Sequence, residues 1–296
     1  MPKLPLITTG LNGLVGSKLA TDFEDKYDFV NLDRAHPTAP TDITDYSQVL
    51  QAFQDSAATH VVHFAAYTDV TGAWQQTGDK TSIAYQVNVV GTENIVKAAE
   101  ATNKHIIHIS TAYVFDGNKA APYLETDPTS PIEWYGQTKV WAEEVVQKAT
   151  VPWTILRIDQ PFRSDEFPKL DAVHRIIAGL KQETLYPQFT NHFFGPTYID
   201  DFVKVIDWVI RTNTEGLFHT TNNESWNDYD FASAINEALY LNKVVKKGDI
   251  NEYLKSTQRP YQRNTALNCE KLIGQLDFKL HSIKEALAEV ASTYAQ

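Results

Sequence analysis

The stretch Thr9-Gly10-Leu11-Asn12-Gly13-Leu14-Val15-Gly16 decides the fold. It joins an apolar, β-prone run at residues 4–8 to a helical pattern at 14–23, so its G-x-x-G-x-x-G spacing falls where a strand turns into a helix. Glycines serve such a turn in three ways. One permits a positive φ, one lets the backbone come close to a pyrophosphate, and one lets the helix lie tightly on the strand. The helix start then presents N–H groups and a partial positive charge to an anion. A tight strand-to-helix turn would use the same residues, and the loop alone does not separate the two readings.

Its surroundings do. Asp33 closes a second strand, 28–32, roughly 20 residues beyond the loop, where a carboxylate accepts hydrogen bonds from ribose hydroxyls. Loop and carboxylate together read as a dinucleotide site. Arg34 follows at once, and a guanidinium there stacks on adenine or holds a 2′-phosphate. The carboxylate favours NAD(H), because it repels such a phosphate; the arginine keeps NADP(H) open.

Farther out, 60–64, 105–109 and 153–157 read as strands, and 46–54, 81–101 and 135–148 as helices. This alternation predicts an α/β fold, a Rossmann-type doubly wound parallel sheet. Pro5 removes a ladder donor and is expected at or just before the first paired residue. After Arg157 the pattern loosens, with helices at 172–180, 200–211, 229–239 and 283–294 and a strand at 216–220. The expected organisation is a dinucleotide-binding domain over 1–157, joined by about 194–222. A smaller C-terminal substrate-binding lobe is expected from 158–193 and 223–296.

The chain has 296 residues, 43% of them hydrophobic and 21% charged, enough for a sizeable core of ordinary globular composition. A net charge of −11 speaks against nucleic acid and anionic membranes as partners. No apolar run approaches the roughly 20 residues of a spanning helix. The sequence runs straight into the glycine motif with no room for a signal peptide, so the expected location is cytoplasmic. Cys269 is the single cysteine, and the nine histidines show no His-x-x-x-His spacing; no disulfide and no metal are expected. A homodimer stays open.

Tyr135-Gly-Gln-Thr-Lys139 places a phenol and an ammonium four residues apart on one helix face. A nearby cation lowers a phenol's pKa toward neutrality and makes it a proton shuttle. With 14 tyrosines a Tyr-x-x-x-Lys can arise by chance, but this one follows the fourth strand. Ser110 and Thr111 stand at that strand's carboxyl end, where open α/β sheets bind ligands.

Taken together, TGLNGLVG, HFAAYTDV (63–70), Asn88 within VNVVGT, ISTAYVFDG (109–117) and YGQTK resemble the extended short-chain dehydrogenase/reductases. Within that group the chain is most similar to the dTDP-4-dehydrorhamnose reductase family, which reduces the 4-keto group of a nucleotide sugar. FGPTYIDDF (194–202), Arg259-Pro260, Leu267 and Lys271-Leu272 extend the similarity over nearly the full length. The resemblance implies that Thr111 and Tyr135 hydrogen-bond the substrate carbonyl. Tyr135 then donates the proton, and Lys139 holds the cofactor ribose. It implies that Gly10, Asn12, Gly13 and Leu14, with Gly16 behind them, follow the pyrophosphate, and that Asp42 and Ile43 flank adenine. Ala65, Ala66 and Tyr67, with Asn88, belong to the cofactor cleft, and Arg259 stands at the substrate nucleotide. Plainer roles stay open: Thr111 could satisfy a backbone group, Asp42 could cap a helix, and Ala65 and Ala66 could be core.

Two departures fall on the substrate side. Ala112 stands where family reductases carry aspartate after the threonine, and Gln160 stands where they carry tryptophan near the sugar. Thr111-Ala112 resembles the epimerases, so an NAD-dependent sugar-nucleotide epimerase is an alternative. Another is a non-catalytic nucleotide-binding regulatory subunit, such as that of methionine adenosyltransferase; the intact Thr111, Tyr135 and Lys139 argue against it.

Overall fold

The structure, a computed structural model, describes residues 2–294. The chain divides into two compact units. One takes the chain up to Val114, then Pro131–Leu156 and Ile206–Phe218; the other holds Phe115–Ser130, Arg157–Val205 and the chain from His219 on.

Five strands, β1 (Leu4–Thr9), β2 (Tyr27–Leu32), β3 (His60–His63), β4 (His105–Thr111) and β5 (Trp153–Ile158), join a last strand, Gly216–His219. They form one six-stranded sheet in the order β2, β1, β3, β4, β5, last strand. The β1–β2, β1–β3 and β3–β4 pairs are parallel. This is the doubly wound α/β sheet the alternation predicts. The chain steps outward from β1 to β2 and then returns to β3 on the other side of β1. That reversal opens a crevice beyond the carboxyl ends of β1 and β3, the usual ligand site of such sheets.

Helices α1 (Leu14–Asp22), α2 (Tyr46–Gln54), α3 (Val70–Trp74), α4 (Ile83–Tyr85), α5 (Thr92–Thr102) and α6 (Trp134–Gln147) complete this region. All seven residues of β4 are buried, as expected of a strand covered on both faces. Ile7, Val61, Ile106 and Ile155 of the sheet share one apolar cluster with Val49 and Phe53 of α2 and Ile95 and Ala99 of α5. The second unit has its own core. There Val173, Ile177, Phe231, Ile235, Leu287 and Val290, from three helices, pack with Phe162 and Phe194.

Pro5 lies inside β1, paired with Asp28 of β2, one residue later than the strand start expected for it. The Leu4 N–H points at Lys26 of the β2 side, so the nitrogen of Pro5 faces the other way. On that side β1 gains its neighbour β3 only at Ile7, and no ladder donor is lost. The single helix expected over 81–101 is instead α4, a π-helical turn at Gln86–Gly91, and α5. Such widened turns gather at functional sites. Here the turn carries Asn88, whose amide is engaged across the fold and is invisible to periodicity. The short helix α3 also escapes periodicity; Asp69 caps it through the Gly72 N–H at 2.9 Å.

The β3–β4 register sets His60 beside His105 and His63 beside His108. Their ring centroids lie 5.1 and 5.2 Å apart, and all four rings are buried. Burial lowers His105 to about 4 and His63 to about 3, and takes His108 well below the usual imidazole range. In the unfolded chain these rings take up protons near pH 6.5, whereas in the fold they do so only far lower. Their contribution to stability is therefore complete above about pH 6.5 and is lost as pH falls toward 3. Asp159, pushed up to about 7 by burial, opposes this as a single group that gains a proton in the fold first. The free energy of urea unfolding should drop by about 3 kcal/mol between pH 7.5 and 5, at roughly 1.4 kcal/mol per unit per group. A flat profile over that range would mean that these histidines are not held neutral.

Candidate active site

Gly10 has a φ of 68°, and a Cβ there would stand 2.8 Å from the Ala65 nitrogen. The loop after β1 and the exit of β3 thus meet backbone to backbone, which only glycine permits. At Gly16 a Cβ would lie 2.6 Å from Leu11 Cα, so α1 packs directly on the loop. Gly13 is the N-cap of α1, just before Leu14, and its N–H donates to the Gly10 carbonyl at 3.0 Å. The Gly10–Ala65 approach borders a cavity of about 280 Å³. Gly10, Asp33, Arg34, Asp42, Ile43, Ala65, Ala66 and Tyr67, all singled out in the sequence, line it. Leu32, Thr41, Ile83 and Val87, which were not, complete the wall.

The polar wall is tied down. Asp33 accepts the Asn12 N–H at 3.3 Å and the Ala35 N–H at 2.8 Å, which fixes its carboxylate between the glycine loop and its own turn. Asp42 accepts from the Thr44 N–H and hydroxyl at 2.9 and 2.8 Å. Those bonds, with the Arg34 charge, hold its carboxyl below the usual range. The Ile43 carbonyl accepts from Asn94 Nδ2 at 2.9 Å. Asn88 is buried: Oδ1 accepts the Tyr67 N–H at 2.7 Å, and Nδ2 donates to Thr138 Oγ1 at 2.9 Å. It therefore acts on the cavity by holding Tyr67. An apolar slot with two carboxylates, a guanidinium and Gly10 in its wall fits the adenosine end of a nicotinamide dinucleotide.

One strand over, Thr111 ends β4. Its hydroxyl accepts the Tyr113 N–H at 3.2 Å, which leaves its own hydrogen to donate. Glu133 caps α6, accepting the N–H groups of Tyr135 at 2.8 Å and Gly136 at 2.7 Å. The Tyr135 ring meets that of Tyr113 edge-on at 5.8 Å. One turn on, Lys139 is only 2% exposed and its Nζ donates to the Ile109 carbonyl at 2.8 Å. The first turns of α6 are thus stitched to the end of β4, and Thr111, Tyr135 and Lys139 gather there. Burial brings Lys139 down to about 8, with the Glu143 carboxylate acting in the opposite sense.

Gln160 and Arg259 fall in the second unit. Gln160 has a φ of 38°, a conformation that side-chain-bearing residues rarely adopt and that clusters at ligand sites. Arg259 is buried and stacks on Tyr261, 3.7 Å from the ring centroid, and its Nη1 meets no partner among the described residues. Arg163, another cation of that unit, is forked onto Asp165 at 2.8 and 2.7 Å. Among the described residues no helix is long and apolar enough to cross a membrane, and no group of three or more His, Cys, Asp or Glu could hold a metal ion.

A glycine-loop cavity at the β1–β3 reversal, followed by a Thr and Tyr-x-x-x-Lys site at β4, defines an extended short-chain dehydrogenase/reductase. Residues 4–296 match the family model described as RmlD substrate binding domain, and the chain belongs to that family. It is similar to the dTDP-4-dehydrorhamnose reductase of Aggregatibacter actinomycetemcomitans, at 30% identity over 81% of each chain. It is also similar to methionine adenosyltransferase 2 subunit beta of Pongo abelii, at 28% identity over 97% of this chain and 88% of that one. A crystal structure of dTDP-4-dehydrorhamnose reductase from Bacillus anthracis in complex with NADP superposes with a TM-score of 0.86 at 26% identity, covering 97% of this chain and 98% of that one. The chain is accordingly a nicotinamide-dependent oxidoreductase.

Sequence reasoning missed Glu133, Tyr113, His63 and His108. An acidic residue just ahead of α6 was a readable capping signal; the other three depend on strand register and ring placement. For the cavity itself, Gly10→Ala forces a methyl onto Ala65 in a conformation alanine resists. It should weaken nicotinamide dinucleotide binding by about tenfold or more, a cost of at least about 1.4 kcal/mol, in a fluorescence titration. Unchanged affinity would place the dinucleotide elsewhere.

Proposed function

We propose that the chain reduces the 4-keto group of a nucleotide sugar. Tyr135 serves as proton donor, Thr111 as a second donor to the carbonyl oxygen, and Lys139 as the cation beside the cofactor ribose. The attachment of α6 to β4 supports this most directly, because it sets a phenol, a hydroxyl with a hydrogen to spare and a buried ammonium around one strand end. The nicotinamide, when bound, supplies the hydride. The protein's part is to hold the carbonyl oxygen between Thr111 Oγ1 and Tyr135 Oη, and to pass the Tyr135 proton to that oxygen as charge develops on it. The Lys139 ammonium stabilises the phenolate that remains.

The relatives named dTDP-4-dehydrorhamnose reductase support a nucleotide-sugar substrate, with the second unit as the substrate lobe. There Arg259, stacked on Tyr261 with an unpaired Nη1, suits a nucleotide diphosphate, since a guanidinium fork pairs two phosphate oxygens. Gln160 marks the sugar end. A pure binding subunit would show no turnover. Tyr135→Phe should leave cofactor affinity nearly intact and cut turnover by about 10²–10⁴-fold, the usual worth of a positioned acid. Equal turnover by variant and parent would remove Tyr135 from the mechanism.

The cofactor assigned here is NADH in preference to NADPH. The Asp33 carboxylate, anchored to the Asn12 and Ala35 N–H groups, stands where a 2′-phosphate would be repelled, and Arg34 in the same wall narrows the difference. NADH should bind more tightly than NADPH, and Asp33→Ala should shift the ratio toward NADPH. Titrations in which the parent protein binds NADPH tenfold more tightly would reverse the assignment and give Arg34 the phosphate.

A further inference from the structure

An ammonium carries three hydrogens and no lone pair, so every polar neighbour it keeps must accept. Lys139 Nζ has two such neighbours, the Ile109 carbonyl at 2.8 Å and His108 Nε2 at 3.2 Å. For that ring nitrogen to accept, His108 must be neutral and carry its hydrogen on Nδ1. Nδ1 is buried and has no partner among the described residues. A buried N–H left unpaired is costly and calls for a reason. The opposite tautomer would point an N–H at the ammonium, so the orphaned Nδ1 is the cheaper error.

His63 stands behind, and its own tautomer follows from its partners. The Thr92 hydroxyl gives its hydrogen to the Asn88 carbonyl at 2.7 Å, so it must accept from His63 Nε2 at 3.0 Å. His63 Nδ1 then accepts from the Thr9 hydroxyl at 2.6 Å, whose oxygen receives the Ala65 N–H at 3.1 Å. Both ring nitrogens are used, and the ring is held neutral against His108. The titratable groups facing Lys139 from the packed elements are therefore His108 of β4, His63 of β3, and Glu143 on its own helix, which accepts from Ser110 Oγ at 2.5 Å.

We propose that His108 is a positioning residue for the reaction: its neutral imidazole accepts from the Lys139 ammonium and, with the Ile109 carbonyl, leaves the third hydrogen for the cofactor ribose. This rests on the reductase reading only in what the third hydrogen is for. Burial supports it independently, since His108 is 1% exposed and desolvation holds its ring well below the usual imidazole range.

The wild-type protein tests the tautomer directly. Two-bond ¹H–¹⁵N spectra, assigned with His108→Gln, should show His108 as the Nδ1–H form from about pH 6 to 8; an Nε2–H form overturns the proposal. Titration of Lys139 by its ¹³Cε shift, assigned with Lys139→Met, reads the coupling without substrate or cofactor. In His108→Leu the ammonium loses an acceptor, and its titration should move down by about one pH unit; His108→Gln, whose amide oxygen can replace Nε2, should restore most of it. The alkaline limb of kcat/KM should move with it. A folded His108→Leu protein with Lys139 titrating as in wild type overturns the proposal, and if that variant does not fold, the tautomer and His108→Gln decide. A protein that shows these shifts but reduces no nucleotide sugar retains the His108–Lys139 pair and loses the reductase reading.

Discussion

The contact between Gly10 and the Ala65 backbone governs this molecule. With no side chain at residue 10, the turn out of β1 lies directly on the exit of β3, and the gap between the two strand ends becomes a slot of defined width. The Ala65 N–H that faces this contact is taken by the Thr9 hydroxyl, which in turn is held by His63. A single steric constraint therefore aligns the cavity wall, the end of β1 and the interior of β3. Any residue larger than glycine would push these apart together, because the neighbour it meets is main chain and cannot rotate away.

The second organising contact is that of α6 with β4. A helix start needs its first N–H groups satisfied, and here a buried carboxylate, Glu133, does this on the residue that carries the phenol. Lys139, one turn later, is drawn into the sheet by the Ile109 carbonyl and the His108 ring. Keeping an ammonium and two imidazoles in the interior lowers the pKa of each and makes the fold sensitive to acid. The return is a cation whose position does not depend on a flexible surface side chain.

The relatives show that this architecture is shared by proteins named as reductases and by proteins named as a subunit of methionine adenosyltransferase. Fold alone does not choose among such roles; the side chains at the strand ends do. In this chain the groups proposed for the reduction stand at the end of β4 and the start of α6, and Lys139 is held there by the Ile109 carbonyl and the His108 ring. The unusual backbone of Gln160 and the unpaired Nη1 of Arg259 belong to the same theme, since both hold conformations or charges that a ligand could stabilise.

Local features were legible from the chain alone. The glycine spacing, Asp33 at the end of β2, the alternation of strand and helix, and Tyr135 and Lys139 on one helix face each follow from residues a few positions apart. Helices long enough to show a period, such as α2, were readable; α3 and the π-helical turn around Asn88 were not, because too few residues carry each signal. Strand ends shifted by one or two residues for the same reason, and Pro5 was misplaced by one because only pairing shows which side of β1 lacks a neighbour. By itself the sequence determined the class of sheet and the strand-to-helix glycine loop, since these depend on backbone sterics and periodicity. The tertiary structure alone decided that His63 lies beside His108, that Lys139 meets a neutral ring, and that Gly10 touches Ala65. Those contacts join residues tens of positions apart, and strand register, which no short stretch of chain encodes, sets them.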